Sequence, residues 1–102
     1  MSRLEQLRVM LKAEPDDVFL NFGIAMELVK EASFDDALAA FDRVIGLDAD
    51  YPPGFFQKAR ALAQIDRVDD AKQALSEGIE AARRAGDAHA EGEMNEMLSS
   101  LA

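Results

Sequence analysis

The feature that most constrains the fold is a repeat of 34 residues. The segment SFDDALAAFD, residues 33–42, returns as RVDDAKQALS, residues 67–76. A fixed period of this length is typical of repeat proteins, in which each unit buries its apolar face only by stacking on a neighbour. Superposing residues 18–51 on residues 52–85 gives these identities: Phe22 with Phe56, Ala25 with Ala59, Leu28 with Leu62, Asp35 with Asp69, Asp36 with Asp70, Ala37 with Ala71, Ala40 with Ala74 and Ile45 with Ile79. We therefore look for function on a stacked surface and not in a catalytic pocket.

The charge balance narrows the class of partner. Twenty acidic residues stand against 11 basic ones, which gives a formal net charge of -9 at pH 7. Such a charge repels phosphate backbones, so nucleic acid is not an expected partner. It suits attraction of basic ligands or solubility in high salt, and a merely solvated acidic exterior is the plainer interpretation.

Other compositional features exclude several classes of protein. No apolar run approaches the roughly 18 residues of a membrane span, and residues 1–8 carry acidic and amide side chains where a signal peptide needs an apolar stretch. The sequence has no cysteine, which excludes disulfides, thiolate zinc sites and thiol catalysis. We expect a cytoplasmic protein that does not bind membranes.

Apolar periodicity predicts six helices and no strands. The predicted helices lie within residues 1–15, over 18–30, from Ser33 to about Gly46, over 52–64, over 68–85 and from Asp87 onward. The pattern also predicts how these helices begin and end. Asp16 or Asp17 and Asp87 are expected N-caps, Ser33 with Asp36 and Asp66 with Asp69 have capping-box spacing, and Gly86 is an expected left-handed stop.

The last helix is predicted to be a terminal lid. Met94, Met97, Leu98 and Leu101 recur at helical spacing, and the acidic or amide residues Glu91, Glu93, Asn95 and Glu96 are expected to face away from them. A terminal repeat needs one apolar side toward its neighbour and one polar side toward water.

With helix pairs joined by short turns and a period of 34, nearly the whole chain resembles the tetratricopeptide repeat family. The small and bulky residues that carry the resemblance are Ala25, Leu28, Ala37 and Phe41 in one repeat and Ala59, Leu62, Ala71 and Leu75 in the next. The small residues let two helices approach closely and the bulky ones fill the space beside them. Asn21 departs from the pattern, since the family places an aromatic residue there.

The resemblance implies an all-α fold, a right-handed α-α superhelix of about six antiparallel helices in one domain over residues 1–102. Within that domain it implies an N-terminal half-repeat helix at 1–15, repeats at 18–51 and 52–85, and a C-terminal capping helix at 87–102.

The resemblance also implies a concave groove in which extended or helical peptides lie. The groove positions fall on Phe19, Phe22, Met26 and Val29 in the first repeat and on Pro53, Phe56, Arg60 and Ala63 in the second. The Lys and Asn residues with which some family members grip a chaperone's C-terminal carboxylate are absent there, which argues against a chaperone-tail adaptor. Phenylalanines with Arg60 would favour an apolar segment carrying an acidic or carbonyl group. Alternatively, the protein's own end helices or a second copy cover these residues.

Other candidate motifs have plainer explanations. His89 has no second His or Cys with which to share a metal, and the pairs Asp16-Asp17, Asp35-Asp36 and Asp69-Asp70 lie at helix starts, where carboxylates stabilise the helix dipole. No phosphate loop or nucleophile motif is present. We therefore expect a non-enzymatic protein-protein interaction module without a cofactor. The alternative is a homodimeric assembly subunit that self-associates through the groove or the C-terminal helix.

The repeated small residue at Ala37 and Ala71 predicts close helix contacts. Replacing Ala71 with Leu should overpack its contact and lower the free energy of unfolding by roughly 1 to 3 kcal/mol. Chemical denaturation measures this change, and an unaltered midpoint would show that helices do not meet closely at this position.

Overall fold

The computed structural model describes residues 1–101, which form six α-helices and no strand. The helices are α1 (Arg3–Ala13), α2 (Val18–Lys30), α3 (Phe34–Leu47), α4 (Pro52–Gln64), α5 (Val68–Ala85) and α6 (Ala88–Ser100). The predicted number and order of helices are confirmed. None of these helices combines the length and apolar character needed to cross a bilayer.

The helices fall into two compact units. The first unit, Met1–Asp48, holds α1, α2 and α3, and the second begins at Ala49 and holds α4, α5 and α6. In the first unit α2 packs against both α1 and α3, and in the second α5 packs against both α4 and α6. The organisation as one domain over residues 1–102 stays a prediction.

Several helix ends form as the sequence predicts. The Asp17 carboxylate accepts a hydrogen bond from the Leu20 N–H at 2.8 Å, and the Asp87 carboxylate accepts one from the Ala90 N–H at 3.0 Å. These bonds satisfy amides that have no partner within the first turn of a helix. Gly86 ends α5 with a φ of 70°, the left-handed conformation that glycine adopts without steric cost.

The predicted capping boxes at Ser33 and Asp66 are wrong. Ser33 makes no capping hydrogen bond, and the residue that precedes α5 is Arg67. Left-handed turns make these connections instead, because Ala32 and Asp66 have φ values of 58° and 60°. The N–H groups of Ser33 and Arg67 then donate, at 2.9 Å each, to carbonyls in the last turn of the preceding helix, on Leu28 and Leu62.

Small residues bring the helices of each pair together, as the repeat predicts. Ala25 on α2 and Ala37 on α3 have no exposed surface, and neither have Ala59 on α4 and Ala71 on α5. In the first unit Gly23 also lets the Leu7 side chain of α1 pack closely against α2, because a Cβ atom at Gly23 would lie 3.3 Å from Cδ1 of Leu7.

Helices of the second unit approach one another closely at Gly78 on α5. This residue occupies the repeat position that Val44 fills 34 residues earlier. A Cβ atom at Gly78 would lie 2.6 Å from Cβ of Phe55 on α4 and 2.5 Å from Sδ of Met94 on α6. Met94 has no exposed surface. The missing side chain at Gly78 therefore makes room for Met94, which holds α6 against α5.

Exposed ion pairs supplement this apolar contact. The Arg83 Nε atom donates to Oε2 of Glu91 on α6 at 3.0 Å. This hydrogen bond and the charge of Glu91, together with the charge of Glu80, raise the pKa of Arg83. Arg84 donates to Oδ1 of Asp50 at 2.6 Å, which ties the end of α5 to the start of the unit. Because exposed pairs contribute little to stability, we attribute the position of α6 mainly to Met94.

We expect Gly78→Ala to destabilise the protein. Overpacking against the rigid Cβ of Phe55 costs about 1 to 3 kcal/mol of folding free energy. This cost exceeds the roughly 0.5 to 1 kcal/mol by which alanine stabilises a helix relative to glycine. Gly92→Ala on α6 is the matched control, because nothing lies within 4 Å of its added Cβ. Urea denaturation should show Gly92→Ala equal to or more stable than the parent. A Gly78→Ala variant as stable as Gly92→Ala would contradict the close approach.

Candidate functional site

Four of the predicted groove residues lie along one face of α2. Phe19, Phe22, Met26 and Val29 are three, four and three residues apart, the spacing that aligns side chains on a helix, and we call them the α2 patch. The Phe19 side chain is 71% exposed, and the other three are half-buried. Most of the surface of Phe19 is therefore accessible to solvent.

Phe22 also belongs to the core of the first unit. Its ring centroid lies 6.2 Å from that of Phe41 at an interplanar angle of 62°, an edge-to-face contact. Phe41 is fully buried on α3. Such pairs contribute about 0.5 to 1.5 kcal/mol beyond their burial, so Phe22 supports the fold and cannot act purely as a contact residue.

A buried asparagine orients the start of α2. The Asn21 side-chain amide donates to the Pro15 carbonyl at 3.1 Å and to the Asp17 carbonyl at 2.8 Å. Arg43 on α3 donates to the same Pro15 carbonyl at 3.2 Å and to the Asp16 carboxylate at 2.8 Å. These bonds tie the turn before α2 to two helices and so position Phe19. In the sequence Asn21 stands out only as a departure from the family pattern, although a single amide in the apolar first half of a helix signals a buried hydrogen bond.

The second unit has a cleft between α4 and α6, which we call the α4–α6 cleft. Its volume is about 390 Å³, and its walls are Phe56, Arg60, Glu93, Glu96, Met97 and Ser100. A second, adjoining depression of about 350 Å³ shares Phe56, Arg60 and Glu93 and extends to Pro53 and Asp87. Phe56 and Arg60 both line this cleft, and the Arg60 guanidinium carbon lies 6.0 Å from the Phe56 ring centroid. Ala63 is half-buried on α4 and lines neither cavity.

Two acidic residues of α6 that the sequence predicts to face away from its apolar side, Glu93 and Glu96, are exposed. Both line the α4–α6 cleft beside Met97. Helical spacing predicts Met94 and Met97 on one face of α6, but Met94 is buried against Gly78, and this contact sets the rotation of α6. Residues 93, 96, 97 and 100 have helical spacing of their own, and that spacing is the signal that could have revealed this face.

The remaining candidate groups add little chemistry. His89 is 86% exposed, with its Nε2 atom 3.2 Å from Oε1 of Glu93 one turn later. Within residues 1–101, no three His, Asp or Glu side chains are placed to hold a metal ion together. The α2 patch and the α4–α6 cleft belong to different units, and their continuity as one groove stays a prediction.

Comparison with known proteins supports the repeat assignment. A family model described as tetratricopeptide repeat matches residues 28–91. Among solved structures, a tetratricopeptide repeat domain protein from Salinibacter ruber is 28% identical, with 86% of this chain and 89% of that chain covered and a TM-score of 0.81. Protein BPP2914 from Bordetella parapertussis is 25% identical, with 99% and 88% covered and a TM-score of 0.85.

A third similar structure is the TPR2B domain of yeast Sti1 in a complex with pHsp70. It is 20% identical, with 94% of this chain and 77% of that chain covered and a TM-score of 0.87. No curated protein matches the chain. The predicted fold class, an all-α helical repeat solenoid, is confirmed by these similarities and by the six helices.

The two phenylalanines of the α2 patch should respond differently to truncation. We expect Phe22→Ser to lower the free energy of unfolding by about 1 to 3 kcal/mol, because it loses apolar burial and the contact with Phe41. Phe19→Ser should change it by no more than about 0.5 kcal/mol, as is usual for exposed positions. Urea denaturation of both variants measures the difference. Equal losses would mean that Phe19 is a core residue.

Proposed function

Because this chain belongs to the tetratricopeptide repeat family, we propose that it is a non-enzymatic protein-interaction module that binds a peptide or protein segment. The proposed contact residues are the α2 patch with Phe56, Arg60 and Ala63 of α4. No chemical step is assigned to them. Their task is to remove apolar surface of a partner from water.

The observation that carries this proposal is the exposure of Phe19. A phenylalanine that is 71% exposed at the end of a half-buried apolar stripe is costly to leave in water and gains free energy when a partner covers it. Burial of one such side chain contributes roughly 1.5 to 3 kcal/mol. A few contacts of this size suffice for micromolar binding after the costs of association are subtracted.

The fold supports the same proposal, and the side chains narrow the ligand. The Sti1 domain with a similar fold forms a complex with pHsp70. Here the groove positions carry Phe22, Met26, Phe56 and Arg60, so the Lys and Asn side chains of a carboxylate clamp are missing. We therefore propose an apolar segment as the ligand in preference to a chaperone's acidic C-terminus.

Self-association through the same residues is the competing function. Two copies would each carry a formal charge of -9, and their mutual repulsion opposes a homodimer. Light scattering over a range of protein concentrations separates the two functions. A constant monomer mass favours the interaction module, and a mass that doubles with concentration favours the homodimeric subunit.

A displayed library of random 12-residue peptides tests the module directly. We expect the wild-type protein to enrich binders, and Phe19→Ser to weaken them by about tenfold or more, the equivalent of burying one aromatic side chain. Met10→Ser is the matched control, because Met10 is a 53% exposed apolar residue on α1 outside the proposed site. Failure to enrich any peptide, or enriched peptides that bind Phe19→Ser as tightly as wild type, would contradict the proposal.

A further inference from the structure

We propose that the α4–α6 cleft selects the ligand, and that it takes a peptide segment in which Lys or Arg lies within a few residues of a bulky apolar side chain. This inference rests on the proposed function and adds the chemistry of the ligand. It assigns α6, which sequence analysis treated as a lid, to the binding surface.

The walls of the cleft provide an apolar subsite. Phe56 on α4 and Met97 on α6 are both half-buried, so each has surface left for a ligand to cover. The volume of about 390 Å³ is at the lower end of the range for ligand pockets. Such a space suits one or two apolar side chains, and the flexible thioether of Met97 can adjust to their shape.

Two carboxylates distinguish this subsite from a purely apolar one. Glu93 and Glu96 lie one turn apart on α6 and line the same cleft. Glu96 forms no ion pair within residues 1–101, and Glu93 is paired only with the exposed His89. Asp87 adds a third carboxylate in the adjoining depression. An ammonium or guanidinium group of a ligand would meet these charges beside the apolar wall.

Arg60 has a different role in the cleft. Its guanidinium lies over the Phe56 ring, and no carboxylate comes within 4.0 Å of it in the part of the chain that the structure describes. A guanidinium donates hydrogen bonds to carbonyl oxygens, which every peptide backbone offers. Arg60 would therefore hold a segment of any sequence, whereas Glu93 and Glu96 discriminate between basic and acidic side chains. The sequence suggested that Arg60 would favour a ligand with either an acidic or a carbonyl group. A carbonyl group fits this cleft, whereas an acidic group would be repelled by Glu93 and Glu96.

The charge of the whole protein acts in the same direction. A formal charge of -9 attracts basic segments and raises their association rate at low salt. Each exposed pair that forms at the cleft strengthens binding only about 1.4- to 5-fold, so the carboxylates tune selectivity and the apolar contacts supply most of the affinity.

Selection from the same displayed library, followed by titration of one synthetic peptide from the enriched set, tests the inference. We expect the enriched peptides to carry Lys or Arg near a bulky apolar residue. The double variant Glu93→Gln with Glu96→Gln should bind the synthetic peptide about 2- to 30-fold more weakly, the equivalent of losing two exposed pairs. Glu31→Gln with Glu77→Gln is the control, since it makes the same charge change at exposed positions outside the cleft.

Charge reversal provides a second and sharper readout. Glu93→Lys with Glu96→Lys, panned on the same library, should enrich Asp or Glu in place of Lys or Arg. Glu93 has a 47% exposed side chain and Glu96 is an exposed residue, so we expect both variants to fold, which circular dichroism checks. An unchanged preference in the reversed variant would overturn the inference.

The outcomes separate the two proposals. Peptides that depend on Phe19 but lack basic residues, or that bind the Gln variant like wild type, would overturn the cleft's role and leave the interaction module standing. A library that yields no peptide would overturn both. A monomer-dimer equilibrium that the Gln variant abolishes would show that a second copy occupies the cleft, and this too would overturn the inference.

Discussion

At Gly78 the backbone of α5 lies so close to two neighbouring helices that a single added methyl group would not fit. The side chains that meet there are Phe55 of α4 and Met94 of α6. Because Met94 is completely buried, this contact determines both where α6 lies and which way it is rotated. The α4–α6 cleft is a consequence, since that rotation brings Glu93, Glu96 and Met97 to the side of Phe56.

The acidic residues of this chain have several separate tasks. Asp17 and Asp87 cap helices through hydrogen bonds to backbone amides, and Glu91 pairs with Arg83. Glu93 and Glu96 instead line a cavity with an apolar wall. Net charge alone therefore predicts only the long-range attraction of basic ligands. The position of each carboxylate on its helix decides whether it stabilises the fold or faces a ligand.

The α2 patch combines stability and exposure within one stripe of side chains. Phe22 packs edge-to-face against the buried Phe41, while most of the surface of Phe19, one turn earlier, is exposed. The hydrogen bonds of Asn21 to the preceding turn hold that first turn of α2 in place. A rigid base under an exposed aromatic lowers the conformational entropy lost on binding, which suits an interaction surface.

The sequence by itself determined the helices, their order and the small residues at their contacts, because these follow from local periodicity and from a repeat that presents the same residues twice. The family resemblance pointed to Phe19, Phe22, Phe56 and Arg60 as groove residues, and their role in binding stays a prediction. Helical spacing alone places Phe19 with Phe22, and Phe56 with Arg60, on one face of their helix. Only the tertiary structure decided the rotation of α6. Helix α6 has two overlapping sets of helically spaced side chains, so it could pack in more than one rotation. Its contact with Gly78, a residue distant in sequence, determines which rotation forms. The turns at Ala32 and Asp66 were likewise decided by hydrogen bonds to the preceding helix, which took precedence over the capping tendency of Ser33.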